Sequence, residues 1–345
     1  MGNIRVGIIG FGRMGITHYS IINSHPDVKI TAIVDTSSLI LNMMKKYIAG
    51  INTYNDPTDF FQKESIDAII VCTPPIFHYS VTLKAAENGV NVFCEKPFTT
   101  TKKQADELAS IFEENKLINQ VGYVNRFNDI FQTVKQYIGK KVIGKVILFK
   151  SEMYSRTITK SEGGKTWRDS PENGGGAVFE MAAHAIDLVN YIIGKPDKVT
   201  GSSLTQIYSE NVEDAVNATF LYKNDITGTL TVNWSDDSYR KPTNKIEIFG
   251  SEGKILADQH GLKIFSKKQQ PHYNLREGWN TIYITDVFKP VPFYVRGNEF
   301  TSQLYHFIEC INDREEMNQC SFRDAADTHE VIESIFNDYK QNGKF

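Results

Sequence analysis

An apolar run, Ile4 to Ile9, leads directly into Gly10-Phe11-Gly12-Arg13-Met14-Gly15 and on to His18, so a strand enters a three-glycine turn and leaves it as a helix. The spacing gives each glycine its own task. Gly10 makes the tight turn, Gly12 lets backbone approach a pyrophosphate, and Gly15 lets the helix pack on the strand. Phosphates then rest on the free N–H groups of the helix start. Twenty residues past Gly15, Asp35 ends a second strand-like run, Val28 to Val34, where a carboxylate accepts hydrogen bonds from an adenosine ribose. Gly10, Phe11, Gly12, Arg13, Met14 and Asp35 are therefore the first expected cofactor contacts. A 2′-phosphate beside Asp35 would be repelled, and Thr36, Ser37 and Ser38 offer no cation to neutralise it, so NAD is expected rather than NADP.

From Met1 to about Gly122 strands and helices alternate, through Ile66 to Cys72, Val90 to Cys94 and Ile118 to Gly122, which predicts a parallel sheet covered on both faces. Ligands of such a sheet bind beyond the carboxyl ends of its strands. Two of those ends read Cys72-Thr73-Pro74-Pro75, with His78 following, and Cys94-Glu95-Lys96-Pro97. Thr73, Pro74, Pro75, His78, Glu95 and Lys96 accordingly join the expected cofactor set.

After Gly122 the texture changes to long strand-like stretches: Val142 to Glu152, Val199 to Ile207, Ala215 to Tyr222, Thr227 to Trp234 and Lys245 to Phe249. The turn Lys223-Asn224-Asp225 joins two of them as an antiparallel hairpin. Helical periodicity returns in Asn298 to Asn312 and Phe322 to Tyr339. The expectation is an α/β chain in two domains: 1–122, which binds the dinucleotide, and 123–345, an α+β domain with a large open, mostly antiparallel sheet. An exposed apolar sheet of that size would be a liability, so one face is expected to meet another subunit in a homodimer or homotetramer.

With 345 residues the chain can hold two separate cores, and a net charge of −3 argues against nucleic acid as a partner. No run of eighteen apolar residues occurs, and the chain starts as a strand rather than a signal peptide, so no membrane partner and a cytoplasmic location are expected. Cys72, Cys94, Cys310 and Cys320 lack C-x-x-C spacing, read as structural thiols and leave no metal site visible.

Gly174-Gly175-Gly176 precedes a predicted helix, Ala177 to Ile193, ended by Gly194 with Pro196 beyond. At 100° per residue Glu180, His184, Asp187 and Tyr191 fall in one stripe roughly 60° wide, on a helix otherwise apolar around most of its circumference. Such a stripe lines a cleft. A dinucleotide site calls for a general base, which His184 supplies; Asp187 either orients an imidazole nitrogen or makes a contact further along. Lys96 closes a buried strand, and its ammonium is expected to lose basicity near an oxidised nicotinamide. Trp167 offers an apolar face to a sugar ring and Arg168 a fork for hydroxyls or phosphate.

Together, Gly10 to Gly15, Asp35, Thr73-Pro74-Pro75 with His78, Glu95-Lys96-Pro97, Trp167-Arg168, Gly174-Gly175-Gly176 and His184 resemble the Gfo/Idh/MocA oxidoreductases along the whole chain. The resemblance implies an N-terminal Rossmann domain, a C-terminal domain on an open sheet, and oxidation or reduction of a secondary alcohol on a sugar, cyclitol or nucleotide-sugar. It also implies that Lys96 contacts substrate and nicotinamide, that the Lys96–Pro97 bond is cis, and that His184 is the acid/base residue. Two positions depart from the family pattern. Glu180 stands where an Asp is usual and is expected to bind substrate or assist catalysis. Val124-Asn125-Arg126-Phe127 keeps one of two usual basic residues, which makes Asn125 a cofactor contact and Arg126 a substrate contact. Tyr294 to Phe300 looks like relatives linked to surface-polysaccharide or nucleotide-sugar metabolism. The alternatives are an NAD-dependent glycosidase of the same family and a non-catalytic NAD-sensing protein, which would need neither Lys96 nor His184.

Overall fold

The computed structural model describes residues 3–159, 167–314 and 318–342. Two compact units divide the chain: Met1–Val124 with Pro290–Ala326, and Asn125–Lys289 with Asp327–Phe345.

The first unit alternates β1 (Ile4–Ile9), α1 (Arg13–Ile22), β2 (Val28–Val34), α2 (Ser38–Tyr47), β3 (Asn52–Tyr54), α3 (Pro57–Lys63), β4 (Ala68–Val71), α4 (His78–Glu87), β5 (Asn91–Cys94), α5 (Lys102–Glu114) and β6 (Asn119–Val121). Its six strands pair in the order β3-β2-β1-β4-β5-β6, all parallel. Strands β4 and β5 are buried along their whole length, which is why they read as unbroken apolar runs instead of alternating ones. Chain order reverses between β1 and β4, and the crevice past the carboxyl ends at such a switch point is where this architecture takes ligands. The helix starts differ in a way that matters there. Ser37, Asp56 and Thr101 cap α2, α3 and α5 with side-chain oxygens, whereas α1 begins at Gly12 with no side-chain cap.

The expected domain break at 122/123 leaves out a returning segment. In α9 (Asn298–Asn312), Leu304, Phe307 and Ile308 lie in one buried cluster with Ile4, Val6, Ile8 and Phe93, so residues 290–326 pack with the N-terminal sheet. A contiguous boundary cannot express this, because the apolar face of α9 finds its partners nearly three hundred residues earlier in the chain.

The second unit holds α6 (Asp129–Gly139), β7 (Val146–Tyr154), α7 (Ala183–Ile192), β8 (Lys198–Thr205), β9 (Ala215–Leu221), β10 (Thr227–Asn233), β11 (Thr243–Gly250), β12 (Gly253–Asp258), β13 (Gly261–Ser266), β14 (Gly278–Tyr283), the short α8 (Ile284–Val287) and most of α10 (Phe322–Asn342). Eight strands pair in the order β14-β13-β12-β11-β7-β10-β9-β8, antiparallel except for β7 with β10. Strands β12, β13 and β14 are absent from the sequence reading, although buried Ile255, Ala257, Leu262 and Ile264 alternate with less buried neighbours as a one-sided sheet requires. Helix α6 packs on β12 and β13, and α7 on β7. The opposite face is not the apolar surface expected. It mixes Lys150, Glu152, Lys245 and Glu247 with exposed Leu148, Phe249 and Trp279. Among the described residues no helix is long and apolar enough to cross a membrane.

Candidate active site

Within the first unit, the turn after β1 has the shape its glycines demand. Gly10 sits at φ +89, where L side chains are strained, and a Cβ on Gly15 would collide with the Gly10 carbonyl oxygen. A Cβ on Gly12 would meet no protein atom within 4 Å, so the space above the bare start of α1 is open to a ligand. Asp35 leans over the same turn. One carboxylate oxygen accepts the Phe11 N–H at 2.7 Å and the other the Ser37 N–H at 2.8 Å. A cavity of about 440 Å³ adjoins it, lined in part by Thr36, Ser38, Leu41, Thr53 and Tyr54.

The next two strand ends are knitted together by His78. Its Nδ1 lies 2.9 Å from the Pro97 carbonyl oxygen and its Nε2 2.8 Å from that of Thr73, with the ring 1% exposed. Burial pushes the imidazole below its ordinary pKa, against the pull of the two carbonyls and Glu95. His78, expected as a cofactor contact, thus lies between two backbone carbonyls, one from each loop, within hydrogen-bond distance of both. The Thr73 hydroxyl is buried without a hydrogen-bond partner among the described residues. A buried orphan at the end of β4, an uncapped α1 and an anchored Asp35 fit a dinucleotide. Past β5, Lys96 is half-buried and its bond to Pro97 is cis, as the resemblance implies. The Cys72 and Cys94 thiols are pushed well above their ordinary pKa by burial, which keeps them protonated and unreactive.

Within the second unit, the predicted helix 177–193 begins as a π-turn, Val178–Ala182, before becoming α7. Its first N–H groups are held from outside: Ala177 donates to the Glu213 carbonyl at 2.9 Å and Val178 to Glu213 Oε1 at 2.8 Å. Gly176, at φ +100, leaves room for that carboxylate, into which a Cβ would run, and donates its N–H to the Arg168 carbonyl at 3.0 Å. The triple glycine therefore closes the Trp167-Arg168 segment onto the helix start. Arg168 stacks on Trp167 at 4.6 Å and reaches Glu180 Oε1 at 3.3 Å, so Trp167, Arg168 and Glu180 form one cluster.

The expected polar stripe divides. Glu180 and His184 stay half-buried at its near end, while Asp187 is fully buried and accepts Arg126 Nε and Nη2 at 2.8–3.1 Å. Tyr191 lies under two cations, with Lys135 Nζ 3.6 Å and Arg126 Cζ 5.2 Å from the ring centre. Arg126 was expected at the substrate. It is 3% exposed and forked onto Asp187, which makes it a support of α7. Asn125, also buried, precedes it in a 3₁₀ turn, Val124–Phe127. Sequence reasoning missed Glu213 and gave His18 no role, although His18 closes the glycine segment itself. Among the described residues no group of three or more His, Cys, Asp or Glu is placed to hold a metal.

Comparison with known proteins matches two family models: an oxidoreductase family with an NAD-binding Rossmann fold over residues 4–123, and the GFO/IDH/MocA C-terminal domain over residues 131–256. The chain is 26% identical over 315 residues to myo-inositol 2-dehydrogenase of Thermotoga maritima, covering 90% of this chain and 84% of that protein. It is 26% identical over 319 residues to scyllo-inositol 2-dehydrogenase (NAD(+)) of Bacillus subtilis, covering 90% and 86%. The solved structure of levoglucosan dehydrogenase in complex with NADH shares the fold, with a TM-score of 0.87 at 20% identity over 98% of this chain and 97% of that one.

Proposed function

This chain belongs to the Gfo/Idh/MocA oxidoreductases, and from that premise we propose that it is an NAD-dependent dehydrogenase or reductase of a secondary alcohol on a sugar, cyclitol or nucleotide-sugar, with Lys96 and His184 as its acid/base pair. The observation that carries the reading is the placement, at carboxyl ends of one parallel sheet, of an uncapped glycine turn, an anchored Asp35 and Lys96. The N–H groups at the start of α1, Asp35, the Thr73 hydroxyl and Asn125 hold the cofactor. The nicotinamide, when bound, supplies the hydride acceptor or donor.

His184 takes the hydroxyl proton in the oxidative direction and returns it in the other. Lys96 donates a hydrogen bond to the same oxygen as it becomes a carbonyl, so its charge favours the transition state over the alcohol. Glu180, Arg168 and Trp167 bind the substrate. The first two accept and donate to hydroxyls, and the indole packs against a ring face. Arg126 and Asp187 keep α7, and so His184, in place. The open face of the eight-stranded sheet serves as the contact of a homodimer or homotetramer, its rows of Lys and Glu matching across a twofold axis.

Purified protein is incubated with NAD and, separately, free sugars, inositols and nucleotide-sugars, while reduced nicotinamide is followed by absorbance. Lys96→Ala and His184→Ala are expected to lose about a hundredfold or more in turnover and keep NAD affinity. Full activity in either variant overturns the assignment. Steady glycoside cleavage with no net absorbance change would replace it by the glycosidase, and NAD binding without turnover of any substrate would favour the sensor.

A further inference from the structure

One buried pair in the first unit is left unused by the reaction just described. His18, on the inward side of α1 and fully buried, places Nε2 2.6 Å from Oε1 of Glu95, whose side chain is 12% exposed. The other carboxylate oxygen accepts the backbone N–H of Lys96 at 3.2 Å. The site is fitted around the pair. Phe93 meets the imidazole edge-on at 5.2 Å, and Gly122, just past β6, leaves the carboxylate space that a Cβ 3.2 Å away would crowd.

Burying such groups is costly, and an apolar pair of the same volume would hold α1 to β5 at least as well. Their retention next to Lys96 points to charge as their purpose. Burial pushes the Glu95 carboxyl up, but the His18 hydrogen bond and charge, with help from Lys96, outweigh it and hold the carboxyl below the ordinary range. The other titratable groups in its field are Cys72, Cys94, His78 and Arg296.

Resting on the reading of Lys96 given above, we propose that His18 and Glu95 are positioning residues for the hydride-transfer site. The pair fixes the Lys96 peptide, and the Glu95 carboxylate that it keeps ionised at the end of β5 favours the positively charged oxidised nicotinamide over the neutral reduced one. His18 acts through Glu95 and touches neither substrate nor cofactor.

The test compares dissociation constants for NAD+ and NADH, read by quenching of protein fluorescence in the full chain. Glu95→Gln is expected to weaken NAD+ relative to NADH by about tenfold. His18→Gln retains an N–H donor but not the imidazole charge, and is expected to give a ratio between those of the parent and of His18→Leu. His18→Leu removes the donor, so the Glu95 carboxyl is expected to become less acidic and the ratio to fall, more at low pH than at high. That pH-dependent ratio is a signature a purely structural contact would not give, and it serves where Glu95→Gln does not fold. An unchanged ratio in both Glu95→Gln and His18→Leu, with parent-like melting temperatures, overturns the proposal while leaving the dehydrogenase reading intact. A parent protein that binds neither nucleotide removes both.

Discussion

Lys96 and His184 are held by different means. The lysine follows a fully buried strand in an all-parallel sheet, its backbone N–H donates to Glu95, and His78 lies between the carbonyls of the following Pro97 and of Thr73. The histidine rides on a helix that opens as a π-turn, and the groups fixing that helix are side chains from distant segments: Glu213 at its start and Arg126 on Asp187 along its length. A site built on backbone geometry tolerates few residue types but needs few partners. A site built on buried ion pairs accepts many local sequences and fails when one partner is lost.

The sharpest break of that contrast lies at the buried pair on α7. Asp187→Ala removes the carboxylate onto which the Arg126 guanidinium, its side chain 4% exposed, is forked, and should cost about 3–5 kcal/mol in urea unfolding. Replacing both partners, Arg126→Met with Asp187→Leu, should recover most of the loss. If the single and double variants melt alike, the helix is not held by this pair.

The glycine turn offers the opposite test. Gly15→Ala drives a methyl into the Gly10 carbonyl and is expected to cost about 1–3 kcal/mol of stability, whereas Gly12→Ala points into open space and should leave the melting temperature unchanged. Gly12→Ala nevertheless raises the Kd for NAD about tenfold, because the methyl occupies the approach to the helix start. A loss of stability at Gly12, or unimpaired NAD binding there, contradicts the assigned tasks of the two glycines. Asp35→Ser, a smaller effect, should shift preference from NAD toward NADP by roughly tenfold, as the repulsion of a 2′-phosphate disappears. Competition between the two nucleotides for one site measures it.

The same contrast decides what was legible in the sequence. Gly10, Gly12, Gly15 and Asp35 announce themselves because a backbone turn dictates residue type at fixed spacing. The parallel sheet follows from strand-like and helical stretches in alternation, and the antiparallel one from long strand-like stretches, two of them joined by the turn Lys223-Asn224-Asp225. What stayed hidden are pairings between remote segments: Arg126 with Asp187, Glu213 with Val178, His18 with Glu95, and α9 with β1. Helical spacing places Asp187 on the stripe of His184 but carries no record of a guanidinium sixty-one residues earlier. The π-turn is illegible for the same reason, since the groups taking its first N–H bonds belong to residue 213.

The smallest effect concerns that residue and is visible only against pH. Burial pushes the Glu213 carboxyl above its ordinary value, and the Val178 hydrogen bond only partly offsets this. In the unfolded chain the same group titrates at the usual carboxylate value, so between the two values the folded state binds more protons. Stability from this residue is therefore complete below the ordinary carboxylate pKa and declines as pH rises through the raised one. Glu213→Gln removes the titration while keeping an oxygen for the Val178 N–H. Relative to the parent, the variant should gain stability steadily as pH climbs from the carboxylate range toward neutrality, by at most about 1.4 kcal/mol for each unit by which the pKa is raised. Parallel melting curves for parent and variant across that interval would mean that Glu213 is ionised as readily in the fold as outside it. The start of the His184 helix would then be held by a full negative charge, which favours a helix N-terminus, and not by a proton-sensitive latch.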